Sequence, residues 1–294
     1  MPHQLNWQEI CQMIPKRKAD AQKGDFGRLL CITGSRNMPG ACLLSTQAAL
    51  RGGAGLVTVA TAPENPMRLA AAAPEAMWLP LETDEAGFLR SSDQNRKTLE
   101  KQLSRANAVL LGCGLGVTEE TRRLVHWVLE QAVCPVVLDA DGLNCAVSCI
   151  ELSRRTGKDW ILTPHPGEMA RLTGRSIPQI QENRVETATQ FAAAYPVTLA
   201  LKGAGTLVAQ GSRLAQNPTG NPGMSRGGSG DVLAGLIAAF AAQGIPSWEA
   251  ACAGVYLHGL AGDAAAAALS QQAMLPRDLL VYLPQVLVKL EQER

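Results

Sequence analysis

The sequence predicts a three-layer α/β/α protein whose central sheet is mostly parallel and has an antiparallel edge. Short apolar runs, which are typical of buried strands, alternate along the chain with stretches of helical periodicity. The chain has 294 residues, and its composition is 46% hydrophobic but only 4% aromatic, so a large core must be built from small aliphatic side chains. No charged or Pro/Ser-rich linker divides residues 1–294, and a single domain is expected.

The first half of the chain carries the alternation most clearly. A short helix is expected to begin after Asn6, where Glu9 completes a capping box, and to end before Pro15. Strands are predicted at residues 28–33, 56–60, 76–79 and 108–111, helices at 41–50, 65–73 and 119–132, and a polar surface stretch at 82–93.

The second half continues this pattern and then changes it. Strands are predicted at residues 136–138, 160–163 and 198–201, with helices from Gly167 and over 178–194. Residues 206–210 and 214–216 flank Gly211 and Ser212 and predict a hairpin, which gives the sheet its antiparallel edge. Long helices are predicted at 247–268 and 276–291.

Composition excludes several classes of function. The net charge is +1, and residues 16–18 are the only basic cluster, so neither a nucleic acid nor an anionic membrane is an expected partner. The longest uncharged stretch, 232–248, is broken by glycine and proline and is shorter than the ~20 residues that a membrane span needs. The eight cysteines form no C-x-x-C pair, which favours reduced thiols in a cytoplasmic protein without a secretory signal.

The most informative stretch is the glycine-rich segment, residues 217–231, which reads NPTGNPGMSRGGSGD and leads directly into an apolar helix. Its glycines allow successive N–H groups to converge on one point, and the following helix would direct its positive end there. This combination predicts an anion site that suits phosphate. Asp231 is either the helix N-cap or a base beside the phosphate.

Other candidate residues follow predicted strands, and the carboxyl ends of parallel strands meet at one edge of a sheet. The loop from Gly112 to Gly116 reads GCGLG, which lacks the dinucleotide-fold spacing and leaves a structural turn or the wall of a ligand cleft. His165 is aimed by a proline on each side, and Glu168 is either part of the same site or a helix N-terminal charge.

Two further motifs complete this set. Asp139 and Asp141 could hold Mg²⁺ through water, orient a substrate or simply form an Asx-turn, and the sequence does not choose between these roles. Residues 202–206, KGAGT, supply one cation, two flexible glycines and a hydroxyl group, which suit a diphosphate.

The glycine-rich segment and the VLAG that follows it resemble the signature of the ADP-dependent NAD(P)H-hydrate dehydratases, members of the ribokinase-like superfamily. The resemblance extends from about Lys23 to the end of the chain and includes the GCGLG, DADGLN and PHPGE motifs. The chain departs from the family pattern at Cys113, where proline is usual, at Ser225 and Arg226 in place of Ala-Thr, and at Ser229.

The resemblance implies a ribokinase-like fold and the dehydration of the S-epimer of NAD(P)H hydrate (NADHX or NADPHX), with ADP converted to AMP and phosphate. It implies Asp231 as the catalytic base and Mg²⁺ as a cofactor, with metal ligands unassigned. The implied substrate-binding residues are Ala41, Gly114, Gly116, His165 and Asp231, and the implied nucleotide-binding residues are Lys202, Gly203, Ala204, Gly205, Thr206 and Gly230. A homotetramer is also implied, together with an epimerase that resides on another chain.

Two other functions remain compatible with these residues. A ribokinase-like kinase of a vitamin or sugar alcohol would carry a similar G-x-G-D motif, and a catalytically silent nucleotide sensor would keep the binding loops. The sequence distinguishes neither ADP from ATP nor NADHX from NADPHX.

Overall fold

The computed structural model describes residues 2–156 and 159–293, and within these ranges ten strands form one sheet. The order across the sheet is β1-β10-β9-β8-β7-β6-β5-β2-β3-β4. The strands are β1 (His3–Gln4), β2 (Arg28–Ile32), β3 (Leu56–Thr61), β4 (Met77–Pro80), β5 (Ala108–Leu111), β6 (Val136–Leu138), β7 (Trp160–Leu162), β8 (Val197–Leu201), β9 (Leu207–Gln210) and β10 (Arg213–Gln216).

The α-helices of the described ranges cover both faces of this sheet. They are α1 (Trp7–Met13), α2 (Pro39–Arg51), α3 (Asn65–Leu69), α4 (Asp93–Leu103), α5 (Glu119–Gln131), α6 (Asp141–Ala146), α7 (Leu152–Thr156), α8 (Pro166–Thr173), α9 (Ile177–Glu182), α10 (Arg184–Ala194), α11 (Ser229–Ala242), α12 (Ser247–Leu269) and α13 (Pro276–Gln292). None of them is long and apolar enough to cross a membrane.

The predicted sheet is confirmed. All neighbours from β8 across to β4 pair in parallel, whereas β9 pairs antiparallel with both β8 and β10. The predicted hairpin turns at Gly211, whose φ of 56° is the left-handed conformation that a two-residue loop requires. The short β1, which the sequence pattern does not predict, extends the edge by pairing in parallel with β10.

The core lies in two layers, one on each face of the sheet. Alternating strand residues point to opposite faces, so Leu29 and Cys31 of β2 join one hydrophobic cluster and Leu30 and Ile32 join the other. The first cluster packs against α2, α11, α12 and α13, and the second packs against α4, α5, α8 and α10. This arrangement is the predicted three-layer sandwich.

Helix α11 lies at the centre of the first layer, and residues 232–242 are all buried. Small side chains allow this close approach to α2: a Cβ on Gly235 would lie only 2.2 Å from the Ser45 carbonyl oxygen. The apolar run after Asp231 is therefore a helix that is buried on every side, as its lack of a polar face predicts.

Several local predictions were wrong. The helix predicted over 178–194 is two helices, because Asn183 leaves the helical region with φ −126° and ψ 43° between α9 and α10. Helices α4, α6 and α7 were missed, and α3 is shorter than predicted. All four are short or mostly polar segments, in which the apolar periodicity that predicts helices is weak.

Candidate active site

Five neighbouring parallel strands, β8, β7, β6, β5 and β2, end at one edge of the sheet. The candidate residues follow these ends directly, and the first turn of α11 meets them there. A Cβ on Gly230 would lie 3.3 Å from Lys202 Nζ and 3.8 Å from Asp139 Oδ2. The structure therefore brings the separate loops together at one edge of the sheet, as the parallel strands predict.

The glycine-rich segment is held in place by α12. Asp263 accepts hydrogen bonds from Gly220 N at 2.9 Å and Asn221 Nδ2 at 3.0 Å. His258, which is buried, contacts the Ser229 carbonyl oxygen through Nε2 at 3.0 Å. Because a carbonyl only accepts, this contact fixes a proton on Nε2, and burial lowers the pKa of His258 to about 4.

Asp231 lies in the first turn of α11 and is not its N-cap. The N-cap is Gly228, which has a φ of 106° and no side chain that could accept a hydrogen bond from the first turn. Burial, followed by the negative charge of Asp139, raises the pKa of the Asp231 carboxyl to about 7. A carboxyl group with this pKa can exchange a proton near neutrality, which is the property that a general base needs.

Asp139 is the centre of the polar network. Its side chain is 2% exposed, and Oδ1 accepts hydrogen bonds from Lys202 Nζ and Thr163 Oγ1, both at 2.6 Å. The Cys113 thiol lies 3.7 Å from Oδ2. One oxygen of each carboxylate of Asp139 and Asp231 and the Cys113 sulfur all lie within 4.8 Å of one another. Asp139 is therefore the counter-ion of Lys202, a role that the sequence left open.

Two opposing effects act on the pKa of Lys202. Burial lowers its pKa, but the charges of Asp139 and of Glu168, whose Oε2 lies 3.7 Å away, outweigh burial, and the net pKa is raised. The ammonium group therefore stays charged and points inward beside α11. In the rest of the KGAGT loop, Gly203 and Ala204 are exposed, whereas Gly205 and Thr206 are half-buried, as Lys202 is.

His165 is the N-cap of α8, and its own ring supplies the cap. Nδ1 accepts a hydrogen bond from Gly167 N at 2.9 Å, while Glu168 Oε2 accepts one from His165 N at 2.7 Å. Since Nδ1 is an acceptor, the proton of the neutral ring lies on Nε2. The half-exposed ring thus offers an N–H donor at the site, and burial and the charge of Lys202 lower its pKa.

The GCGLG loop forms a wall of the site. A Cβ on Gly114, which has a φ of 66°, would lie 2.9 Å from Ala41 Cβ, so these two predicted substrate residues are brought together. Asp141 Oδ2 accepts a hydrogen bond from Gly116 N at 2.8 Å and fixes the loop. The Phe88 ring covers Gly116, where a Cβ would lie 2.2 Å from it.

Two groups of candidates thus face the central Asp139 and Asp231. Ala41, Gly114 and Gly116 lie together on one side, whereas His165 and Lys202 belong to the network of Glu168. Sequence reasoning missed four residues of the site. They are Thr163, Phe88, His258 and Cys113, the last of which contacts Asp139. Only His258 carried a signal, as the single histidine within the long Ala-rich helix α12.

The comparisons with known proteins identify the family of the chain. A profile of the NAD(P)H-hydrate dehydratase family matches residues 29–285. The chain is a member of the ribokinase-like α/β class by fold and site, and it belongs to the NAD(P)H-hydrate dehydratase family.

The relatives extend this result. The chain is 36% identical over 95% of its length to the ADP-dependent (S)-NAD(P)H-hydrate dehydratase of Xanthomonas campestris, of which it covers 93%. It is 43% identical over 95% of its length to a bifunctional NAD(P)H-hydrate repair enzyme of Moorella thermoacetica, of which it covers 53%. The chain spans about half the length of the bifunctional relatives that it matches.

A solved structure shows the same fold. The ADP/ATP-dependent NAD(P)H-hydrate dehydratase of Bacillus subtilis, co-crystallised with ATP and Mg²⁺, superposes with a TM-score of 0.82 at 31% identity and covers 99% of each chain.

Proposed function

We propose that this chain dehydrates the S-epimer of NADHX or NADPHX to NAD(P)H and converts ADP to AMP and phosphate. The observation that carries the proposal is the carboxyl group of Asp231, whose pKa is raised to about 7, in the first turn of a buried helix and beside Lys202. That arrangement provides a base, an anion-binding helix terminus and a cation within one site.

The first step is phosphoryl transfer. The ring hydroxyl oxygen attacks the terminal phosphorus of ADP, the bond from that phosphorus to the bridging oxygen breaks, and AMP departs with the electron pair. Asp231 accepts the hydroxyl proton. Ser229 N donates to Arg226 O, whereas the N–H groups of Gly230 and Asp231 have no acceptor within α11, so these two groups and Lys202 can stabilise the charge on the transferring group.

The second step is elimination. The ring C–O bond breaks with both electrons leaving on phosphate, the lone pair of the ring nitrogen stabilises the cation, and the adjacent ring carbon then releases a proton to phosphate or water. The sum is loss of water from the hydrate coupled to cleavage of ADP. Nε2–H of His165, which lies 3.4 Å from Glu168 Oε1, is our candidate donor of a hydrogen bond to the substrate or to the departing phosphate.

The donor set fits Mg²⁺ in part. Asp139 Oδ1 is already occupied by Lys202 and Thr163, so Oδ2 of Asp139 would hold the ion with the help of water and the nucleotide phosphates, and Asp231 stays free to act as the base. When bound, Mg²⁺ supplies positive charge to the phosphate oxygens. The Cys113 thiol is a poor ligand for this hard ion.

The partners proposed for the chain follow from the same resemblance. An epimerase activity would convert the other epimer of the hydrate into the one used here. The homotetramer and the cytoplasmic location stay predictions.

The test is to mix the purified protein with the S-epimer of NADHX, Mg²⁺ and either ADP or ATP. The dihydronicotinamide absorbance should return only with nucleotide, and AMP should appear when ADP is the donor. Asp231→Asn should slow both signals, and its matched control is Asp93→Asn, because Asp93 is exposed in the first turn of α4. A phosphorylated product that persists would instead identify a kinase, and nucleotide binding without turnover would identify a sensor.

A further inference from the structure

Arg184 is the first residue of α10, and its half-buried guanidinium group lies against the KGAGT loop. It donates three hydrogen bonds, and all three acceptors are main-chain carbonyls. Nη1 donates to Lys202 O at 3.1 Å, and Nη2 donates to Leu201 O at 3.1 Å and to Gly205 O at 3.4 Å. The guanidinium group thus bridges the end of β8 and the loop that follows it.

Helix stability does not explain this position. A cation at the first residue of a helix opposes the helix dipole, and burial of a guanidinium group removes water from its N–H groups. Burial accordingly lowers the pKa of Arg184. The benefit must come from the contacts that it makes outside its own helix, and those contacts are with the loop.

A glycine in the loop leaves room for the guanidinium group. Gly203 has a φ of 138°, and a Cβ there would lie 2.3 Å from Arg184 Nη1, so only glycine allows the contact. Since peptide groups are planar and trans, holding the carbonyls of Lys202 and Gly205 toward Arg184 directs the N–H groups of Gly203 and Thr206 to the opposite side.

The loop is also held at its start. Lys202 N donates to Pro164 O at 2.8 Å, and its ammonium group is bound to Asp139. At its end, the Thr206 hydroxyl donates to Gly203 O at 3.0 Å, and Thr206 O accepts a hydrogen bond from Asn217 N at 2.8 Å. Arg184 adds the contacts that tie the loop to α10. A loop whose N–H groups are fixed before a ligand arrives binds an anion without the cost of ordering it.

We propose that Arg184 is a positioning residue that fixes residues 202–206 so that their N–H groups bind a phosphate of a nucleoside diphosphate. The assignment of ADP as that ligand rests on the proposed function. Arg184 touches neither the reacting atoms nor the nucleotide in this scheme, so it acts on nucleotide affinity through the loop.

The experiment compares Arg184→Ala with Arg175→Ala. Arg175 also packs on α10, but it donates to the side chains of Thr187 and Gln190 and makes none of the loop contacts. Arg184→Ala should raise the KM for ADP about tenfold or more, with kcat within about threefold and the KM for the hydrate unchanged. Millimolar guanidinium should restore the KM for ADP in this variant alone.

A folded Arg184→Ala enzyme with an unchanged KM for ADP would overturn the proposal, and so would an equal rise in both KM values. If this variant fails to fold, Arg184→Lys takes its place, because a single ammonium group cannot reach all three carbonyls. Its Kd for ADP, measured by calorimetry, should rise about threefold to tenfold, and an unchanged Kd overturns the proposal.

The same calorimetry separates this inference from the proposed function. A wild-type protein that binds ADP but turns over no hydrate contradicts the proposed function, and the Kd values of the variants then decide the role of Arg184. A wild-type protein that does not bind ADP overturns both.

Discussion

At the scale of single residues, the environment of each carboxyl group decides its chemistry. Asp139 lies beside Lys202 and accepts two short hydrogen bonds, which stabilise its charge. Asp231 is close to Asp139, and burial and the negative charge of Asp139 outweigh the opposing effects of Cys113 and Lys202, so the pKa of Asp231 is raised. Two neighbouring aspartates thereby take different roles, one as a fixed counter-ion and the other as a proton acceptor.

The pH dependence of turnover should report Asp231. A base acts only when it is ionised, so kcat should fall about tenfold per pH unit below about 7 and level off above it. Asp231→Asn should lower turnover about 100- to 10,000-fold and leave the Kd for ADP nearly unchanged. Steady-state rates across this range, with calorimetry on the variant, test the assignment. A turnover near that of the wild type in the variant would refute it.

Ala140 is strained, because it adopts φ 49° and ψ −118° between Asp139 and Asp141. This conformation is costly for any residue with a Cβ. Ala140→Gly should therefore raise the free energy of unfolding by about 0.5–2 kcal/mol, despite the greater freedom of glycine in the unfolded chain. Ala170→Gly, within α8, should lower it by about 1 kcal/mol. Urea denaturation of both variants measures the difference, and a loss of stability in Ala140→Gly would contradict the strain argument.

At the scale of elements, helix α11 links the core to the site. Its buried length packs against α2 through small residues, and its first turn carries Asp231. Any displacement of this helix would move the base and the anion-binding N–H groups together. Close packing therefore serves the geometry of the site as well as stability.

A substitution at Gly235 tests the packing of α11 against α2. In Gly235→Ala the new Cβ would lie 2.2 Å from Ser45 O and 2.8 Å from Ala48 Cβ, so α2 and α11 must separate. The free energy of unfolding should fall by about 1–3 kcal/mol or more. Gly40→Ala is the matched control, because a Cβ there meets nothing within 4 Å and should be neutral or stabilising. Equal stabilities of the two variants would show that α11 tolerates the displacement.

At the scale of the whole molecule, the polar network joins separate βα units. Asp139 follows β6, Thr163 and Glu168 follow β7, and Lys202 follows β8. Their hydrogen bonds fix the relative positions of three strand ends at the functional edge of the sheet. The network therefore couples the integrity of the site to that of the sheet.

A double-mutant cycle on Lys202 and Asp139 measures this coupling. Lys202→Met should lower the free energy of unfolding by about 3–5 kcal/mol, because it leaves Asp139 and Glu168 buried without a cation, and it should also weaken ADP binding. Asp139→Asn should relieve part of that loss in the double variant, with a coupling of about 1–3 kcal/mol. Denaturant titrations of the four proteins supply the cycle. Strict additivity would mean that the ion pair contributes nothing net.

The sequence alone was sufficient for the architecture, because strand and helix periods are local. The apolar runs located nine of the ten strands, and the hairpin was recognised from Gly211 and its flanking residues. Since all carboxyl ends of parallel strands meet at one edge, the sequence also placed the candidate residues in one region. The family resemblance, which rested on the glycine-rich segment, was confirmed.

Only the tertiary structure determined which charged side chains pair with each other. Lys202 and Asp139 are 63 residues apart in sequence, and no local pattern pairs them. The pKa of Asp231 depends on burial and on a neighbouring charge. The hydrogen bonds from Arg184 to the KGAGT loop depend on the packing of α10 against β8. A sequence specifies which side chains follow each strand, whereas the folded sheet determines which of them touch, and ionisation and orientation follow from those contacts.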